Sequence, residues 1–248
     1  QMCIRDRFLI QNPEVAKTYQ DSKFQNKEKA LNQFVKELQA IIKDSKNPIV
    51  DIKNYKYQEY TRLTIKELLN IDPTITYREF SFLALAIGQE ILKITHNELA
   101  QKYLGFENAK LDYSIIAMGK LGGLELNYSS DIDLIGLYDQ DENIQKTSKH
   151  EFFQKLFINF GKKLSTQDNH GFLYRVDWDL RPEGKAGTLA NSFNAMEKYY
   201  VTFCSEWERQ AYLKASIFFQ NDSLGDDFLK FMHAMACLLY TSDAADES

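Results

Sequence analysis

The run over residues 114–138, SIIAMGKLGGLELNYSSDIDLIGLY, constrains this chain more than any other stretch. Ile115, Ile116, Ala117 and Met118 have the length and β-branched character of a buried strand. A glycine break follows. Gly119, Gly122 and Gly123 can take backbone angles closed to other residues, and without a Cβ they let a phosphate approach main-chain N–H groups. The chain turns polar at Asn127, Ser129 and Ser130 and then enters a second strand-like run, residues 131–138. Alternate residues of a strand share a face, so Asp131 and Asp133 project side by side from an otherwise apolar strand. Two carboxylates so placed repel each other, and a hard divalent cation such as Mg²⁺, which takes one or two carboxylates beside water and phosphate, relieves that repulsion. Asp-x-Asp on a solvent-facing edge also arises by chance. The glycine and serine prelude is what favours metal-assisted nucleotidyl transfer.

The 248 residues suffice for one large domain or two small ones, and 44% hydrophobic residues can form a core. A net charge of −5 offers no general basic surface, so nucleic acid is not an expected partner. Cys3, Cys204 and Cys237 are odd in number and far apart, which fits a reducing cytoplasm better than a disulfide framework. Neither they nor His96, His150, His170 and His233 show a zinc spacing. No apolar run is long enough to span a membrane, and there is no signal-peptide core. Residues 1–7, QMCIRDR, and 237–248, CLLYTSDAADES, resemble translated sequencing-adapter fragments and are expected to be non-native ends of a piece of a longer protein.

Residues 8–105 read as a helical region. Ala30, Leu31, Phe34, Leu38, Ile41 and Ile42 recur at helical spacing over residues 26–44, and Tyr60, Leu63, Ile65, Leu68 and Leu69 do so over 57–70. Thr76 and Glu79 have capping-box spacing before a long helix over 77–103, which Gly105 stops. The charged stripes of these helices are expected to be solvated faces with no chemistry. Residues 139–142 read as a solvated acidic turn and 149–164 as an amphipathic helix. Residues 171–180, GFLYRVDWDL, form a strand candidate with Asp177 and Asp179 on one face. The Gly- and Pro-punctuated turn over 181–187 offers Arg181 to hold a phosphate through paired N–H groups and Lys185 to do so as a point charge. Ser192 is placed to cap a helix carrying Met196, Tyr199 and Tyr200, followed by a helical run over 207–219.

GKLGGLELNYSSDIDLIGLYD closely resembles the signature of the glutamine synthetase adenylyltransferase/adenylyl-removing enzymes, large bifunctional members of the nucleotidyltransferase superfamily. The resemblance resumes in Arg175-Val176-Asp177, in LRPEGKAG over 180–187 and in WERQAYLKA over 207–215, and more weakly over 62–72. Three ordered blocks are far more specific than one motif. The resemblance implies an α+β fold: a nucleotidyltransferase-fold mixed sheet in a catalytic core over 106–190, the helical region before it, and flanking helices over 191–236. It makes Asp177 the third carboxylate, so that Asp131, Asp133 and Asp177 are the expected catalytic and metal-holding residues for Mg²⁺ or Mn²⁺. Gly122, Gly123, Ser129, Ser130, Arg181, Lys185 and Arg209 are the expected nucleotide or phosphate contacts, with Trp207 in the core. Asp179 departs from the family, which usually has arginine there; pairing with Arg175 or Arg181 is the expected consequence.

The family has two catalytic halves, one removing AMP from a glutamine synthetase tyrosine by phosphorolysis to give ADP and one attaching AMP from ATP. NYSSDIDLI and WERQAYLKA look more like the removing half. A cytoplasmic enzyme acting on glutamine synthetase is implied, under the nitrogen-signalling P-II protein through regions outside this sequence. The adenylylating half, another nucleotidyltransferase, and an inactive regulatory or scaffolding fragment are the alternatives.

Overall fold

The computed structural model describes Pro13, residues 28–69 and residues 72–246, with side chains described as far as residue 236. Residues 1–7, expected to be foreign, lie outside the described residues, whereas the backbone of the last helix runs through Asp246. The chain forms two compact units that interleave along the sequence, so the expected boundaries at 105 and 190 do not separate them.

One unit takes the residues up to Leu92 together with Leu124–Ser130 and Lys162–Arg175. Its helices are α1 (Leu31–Lys43), α2 (Pro48–Leu68) and the first part of α3 (Pro73–Ala100). Helix α2 begins nine residues before the expected start at 57, because Pro48 occupies the first helical turn, where its missing N–H costs nothing. Helix α3 likewise begins at Pro73, and the Asp72 carboxylate accepts the Thr74 N–H at 2.9 Å. Thr76 and Glu79 therefore lie inside the helix and form no capping box. The Thr76 hydroxyl bonds Glu67 and the Pro73 carbonyl, and Glu79 is fully buried between Arg62, at 2.6 Å, and Lys66.

The polar stripe of α2 is not a solvated face. Lys53, Lys56, Glu59, Arg62 and Lys66 are all buried. Arg62 bridges Glu59 and Glu79, while Lys29 joins Glu59 to Glu37. Leu68 and Leu69, expected on the apolar side, are exposed. Among the described residues Lys56 has no carboxylate partner; its ammonium lies 4.6–4.9 Å from the ring centres of Tyr57, Tyr60, Phe172 and Tyr174 and donates to the Phe172 carbonyl.

The other unit comprises Lys93–Gly123, Asp131–Gly161 and the residues from Val176 onward. It is built on a mixed sheet in the order β5-β2-β1-β7, with β6 also on β2. Strands β1 (Tyr113–Ala117) and β2 (Ile132–Tyr138) are antiparallel, and β7 (Ser216–Gln220) runs antiparallel on the far side of β1. Strands β5 (Val176–Asp177) and β6 (Ala190–Ser192) lie parallel to β2. A small hairpin, β3 (Asn143–Ile144) and β4 (Thr147–Ser148), leads into α5 (Lys149–Ser165). Alternation sorts the side chains: Ile116, Ile135 and Leu137 join a core with Met196, Tyr200, Tyr212 and Phe228. On the opposite face Tyr138 stacks on Phe153, Tyr113 lies tilted against the same ring, and Gly136 leaves the space that the Phe157 ring fills. This α+β architecture is the nucleotidyltransferase fold expected from the sequence.

Four local expectations are corrected. Of residues 171–180 only Val176–Asp177 is a strand, Phe172 and Tyr174 being drawn to Lys56. Residues 207–219 are not one helix: α7 (Glu206–Ala211) follows α6 (Phe193–Thr202), and after a 3₁₀ turn over Tyr212–Lys214 the chain enters β7, whose SIFFQ sequence suits a half-buried sheet edge. The acidic turn is structural, since buried Lys149 holds both Asp139 and Glu142 at 2.8 Å. Asp141 takes the hydroxyls of Tyr138 and Ser192, so Ser192 precedes α6 without capping it through its side chain. Helix α8 (Leu224–Asp246) completes the unit, and among the described residues no helix is long and apolar enough to cross a membrane.

Candidate active site

The second unit brings together the carboxylates that the sequence spaces 46 residues apart, 131 and 177 being its extremes. Parallel pairing sets Ile132 opposite Val176 and Asp133 opposite Asp177, so two carboxylates stand side by side on neighbouring strands. Asp131 lies just before β2, exposed, and on the same side of the strand by alternation. Burial pushes the Asp133 carboxyl up from 3.8 to about 6, the Asp177 and Asp131 carboxylates push in the same direction, and Lys120 opposes them. Asp177 is oriented by the Asp179 main-chain N–H, which donates to its Oδ1 at 2.7 Å.

The glycine break is a short helical turn, α4 (Gly119–Gly122), between β1 and the rest of the loop. Gly119 has φ +55°, and a Cβ there would collide with Asp133 Oδ2. The Asp133 carboxylate thus lies directly over the Gly119 backbone, which only glycine permits in this conformation. Gly119 is the site residue that sequence reasoning placed in the phosphate turn but left out of the expected contacts, and its seating of Asp133 was not foreseen. Its signal was its position, two residues past the end of a strand paired with the acidic one.

Other expected contacts are arranged differently. The Gly122 N–H donates to the Met118 carbonyl and the Gly123 N–H to the Gly119 carbonyl, so these donors close the turn and do not form a phosphate cradle. Gly122 is buried because the carbonyls of Ala117 and Lys214 press where a side chain would go. Ser129 and Ser130 belong to the first unit, in a turn held by Asn127, whose side-chain oxygen accepts the Ser129 N–H at 3.2 Å and the Ser130 hydroxyl at 2.8 Å. Arg175, in the same unit, donates to the Ser129 carbonyl at 2.8 Å.

Arg181 is buried and turned inward. Its guanidinium donates to the carbonyls of Gly187, Trp178 and Lys185 at 2.9–3.2 Å, pinning the 178–187 loop and leaving no paired N–H fork for a phosphate. Asp179 pairs with Arg181 at 3.6 Å, as expected, and with Lys185 at 3.3 Å. Arg209 lies half-buried on α7, its Nε has no hydrogen-bond partner among the described residues, and its guanidinium faces the Cys204 thiol. Trp207, expected in the core, is 58% exposed, because its helix turns Glu208 inward onto Ser205 and Tyr199.

No three His, Cys, Asp or Glu side chains among the described residues close on a single point as a ready-made metal cage. The donor set nevertheless suits a hard divalent cation that is completed by water and substrate phosphate: Asp133 and Asp177 are adjacent, Asp131 is within electrostatic reach, and their mutual repulsion already raises Asp133.

The family described as glutamate-ammonia ligase adenylyltransferase matches residues 4–231. Curated relatives carry the name bifunctional glutamine synthetase adenylyltransferase/adenylyl-removing enzyme. That of Haemophilus ducreyi is 28% identical over 211 residues, covering 81% of this chain and 22% of the relative. That of Ralstonia nicotianae is 46% identical over 147 residues, 57% of this chain and 15% of the relative. That of Hahella chejuensis is 31% identical over 233 residues, 89% of this chain and 24% of the relative. The chain spans less than a quarter of the length of each of these relatives. With three motif blocks, the mixed sheet and a match over nearly its whole length, the chain belongs to the glutamate-ammonia ligase adenylyltransferase family.

Proposed function

We propose that the second unit carries a nucleotidyl-transfer site acting on glutamine synthetase, and that its reaction is the phosphorolytic removal of AMP from an adenylylated tyrosine, giving ADP. The observation that supports a transfer site above all others is the pairing of Asp133 with Asp177 on parallel strands, over a glycine that only this packing requires. The direction of transfer rests on the resemblance of NYSSDIDLI and WERQAYLKA to the removing half.

Asp133 and Asp177, with Asp131, would hold Mg²⁺ or Mn²⁺. When bound, the metal supplies charge stabilisation for the attacking and leaving oxygens of an in-line displacement at phosphorus. The chain's own residues hold the geometry. Gly119 seats Asp133, the Asp179 N–H fixes one oxygen of Asp177, and Arg181 pins the 178–187 loop that follows Asp177. A phosphate oxygen forms the new bond to the AMP phosphorus as the tyrosine oxygen departs, and a phenol with an ordinary pKa near 10 is a tolerable leaving group. No protein nucleophile is needed.

The test supplies AMP-modified glutamine synthetase with Mg²⁺, with and without phosphate, and measures ADP. Phosphate-dependent ADP release, lost in folded Asp131→Asn and Asp133→Asn variants, supports the reading. AMP attachment from ATP without phosphate dependence would assign the adenylylating direction instead, and full activity in both variants would leave only a scaffolding role.

A further inference from the structure

We propose that the second unit binds a small planar carboxylate in a cavity at the end of its sheet remote from the acidic cluster. The cavity measures about 300 Å³, at the small end of the range for ligand pockets and enough for one or two fused rings. Its walls come from the last turns of α3, the segment leading into β1 and the end of β7. Tyr113, in the wall, opens β1; five residues on, the Met118 N–H donates to the Asp133 carbonyl. At about 3.4 Å per residue the cavity lies about 17 Å from the carboxylates. A molecule in it cannot touch them, so this site stands or falls independently of the transfer reading.

The walls are built in advance. The Asn221 side chain accepts the Tyr113 N–H at 3.0 Å and donates to the Leu111 carbonyl, stapling the chain before β1 to the end of β7. The Tyr113 ring centre lies 5.1 Å from that of Phe219, and the His96 imidazole lies within 6° of parallel to Tyr113 at 5.8 Å. The edge of Phe152 holds the imidazole from another side. A flat ring entering the cavity therefore meets flat faces, which favours an aromatic body. The polar groups share one face of α3: Lys93, His96 and Asn97 stand at i, i+3 and i+4. Burial pushes the His96 imidazole down from its ordinary 6.5, so Lys93 brings the full positive charge. None of the described lining residues is acidic, and the neighbouring Asp112 and Asp222 are both engaged by Lys110, at 3.0 and 3.4 Å. One ammonium beside an amide and an imidazole matches one carboxylate, with its single charge and its acceptor oxygens.

Indole-3-carboxylate is the probe and neutral indole-3-carboxamide its control, each titrated into the full chain and followed by calorimetry and by the side-chain resonances of His96 and Asn97. The carboxylate is expected to bind with a Kd of about 1 mM or tighter, as befits a ligand of about a dozen non-hydrogen atoms, and to shift both resonances. Lys93→Met should weaken the carboxylate about two- to five-fold and leave the carboxamide unchanged. Ala109→Trp fills the cavity and should abolish binding of both. Lys93 is exposed, so its variant keeps the test decisive even if the bulky one does not fold. No saturable binding below about 10 mM, shifts confined to residues away from the cavity, or binding that survives Ala109→Trp in a folded protein overturns the site. Equal effects of Lys93→Met on the two probes overturn its preference for a carboxylate.

Discussion

Replacing Gly119 by alanine separates a site role from a structural one. At φ +55° an alanine enters the left-handed region, at a cost of about 1–2 kcal/mol. Its methyl group would also occupy the position of Asp133 Oδ2. That neighbour is the end of a short side chain only partly buried, so it swings aside and adds little to the stability loss. The functional loss is expected to be far larger, because a carboxylate displaced by about 1 Å can cost on the order of 100-fold in turnover. Gly119→Ala should therefore unfold in urea with about 1–2 kcal/mol less stability and release ADP roughly 100-fold more slowly. Gly123→Ala, at an ordinary φ of −81°, serves as the control and should retain most activity. Near-parental turnover in a folded Gly119→Ala protein would refute the placement of Asp133 over this glycine. A stability loss large enough to explain the inactivity by unfolding would refute the division of costs.

Because the Asp133 carboxyl is raised to about 6, the stability that its protonated form contributes is whole below about pH 4 and is lost as pH rises through about 6. Asp133→Asn should therefore be more stable than the parent at pH 8, by on the order of 1 kcal/mol after discounting for solvent screening, with a smaller difference at pH 5; equal urea midpoint shifts at the two pH values would contradict this. Glu79→Gln leaves the buried Arg62 and Lys66 facing a neutral amide and should cost about 3–5 kcal/mol; a loss below about 1 kcal/mol in urea would show that the network is not held by its charges. Arg181→Met removes three bonds to loop carbonyls and should lower stability by about 1–3 kcal/mol and open the 178–187 loop to limited proteolysis. Unchanged stability with weakened phosphate binding would return Arg181 to the ligand role suggested by its sequence position.

The sequence by itself determined what depends on near neighbours. The apolar run of β1, the glycine turn after it and the alternation that puts Asp131 and Asp133 on one face are written in local composition and period, which need no knowledge of distant partners. The helices of the first hundred residues were readable for the same reason, although their starts moved to Pro48 and Pro73, where local capping chemistry outweighed hydrophobic spacing. Tertiary structure decided which polar groups face inward. Lys56, Arg62, Lys66 and Glu79 look like solvent-facing residues until partners from other segments neutralise or surround them. It also converted SIFFQ from a supposed helix end into β7, because the open edge of β1 offered backbone bonds that a short isolated helix could not match. Arg181 could not be known to point into its own loop before that loop closed. The meeting of Asp133 with Asp177 was legible only through resemblance, since strand register between distant segments is fixed by packing the whole sheet and by nothing within either segment alone.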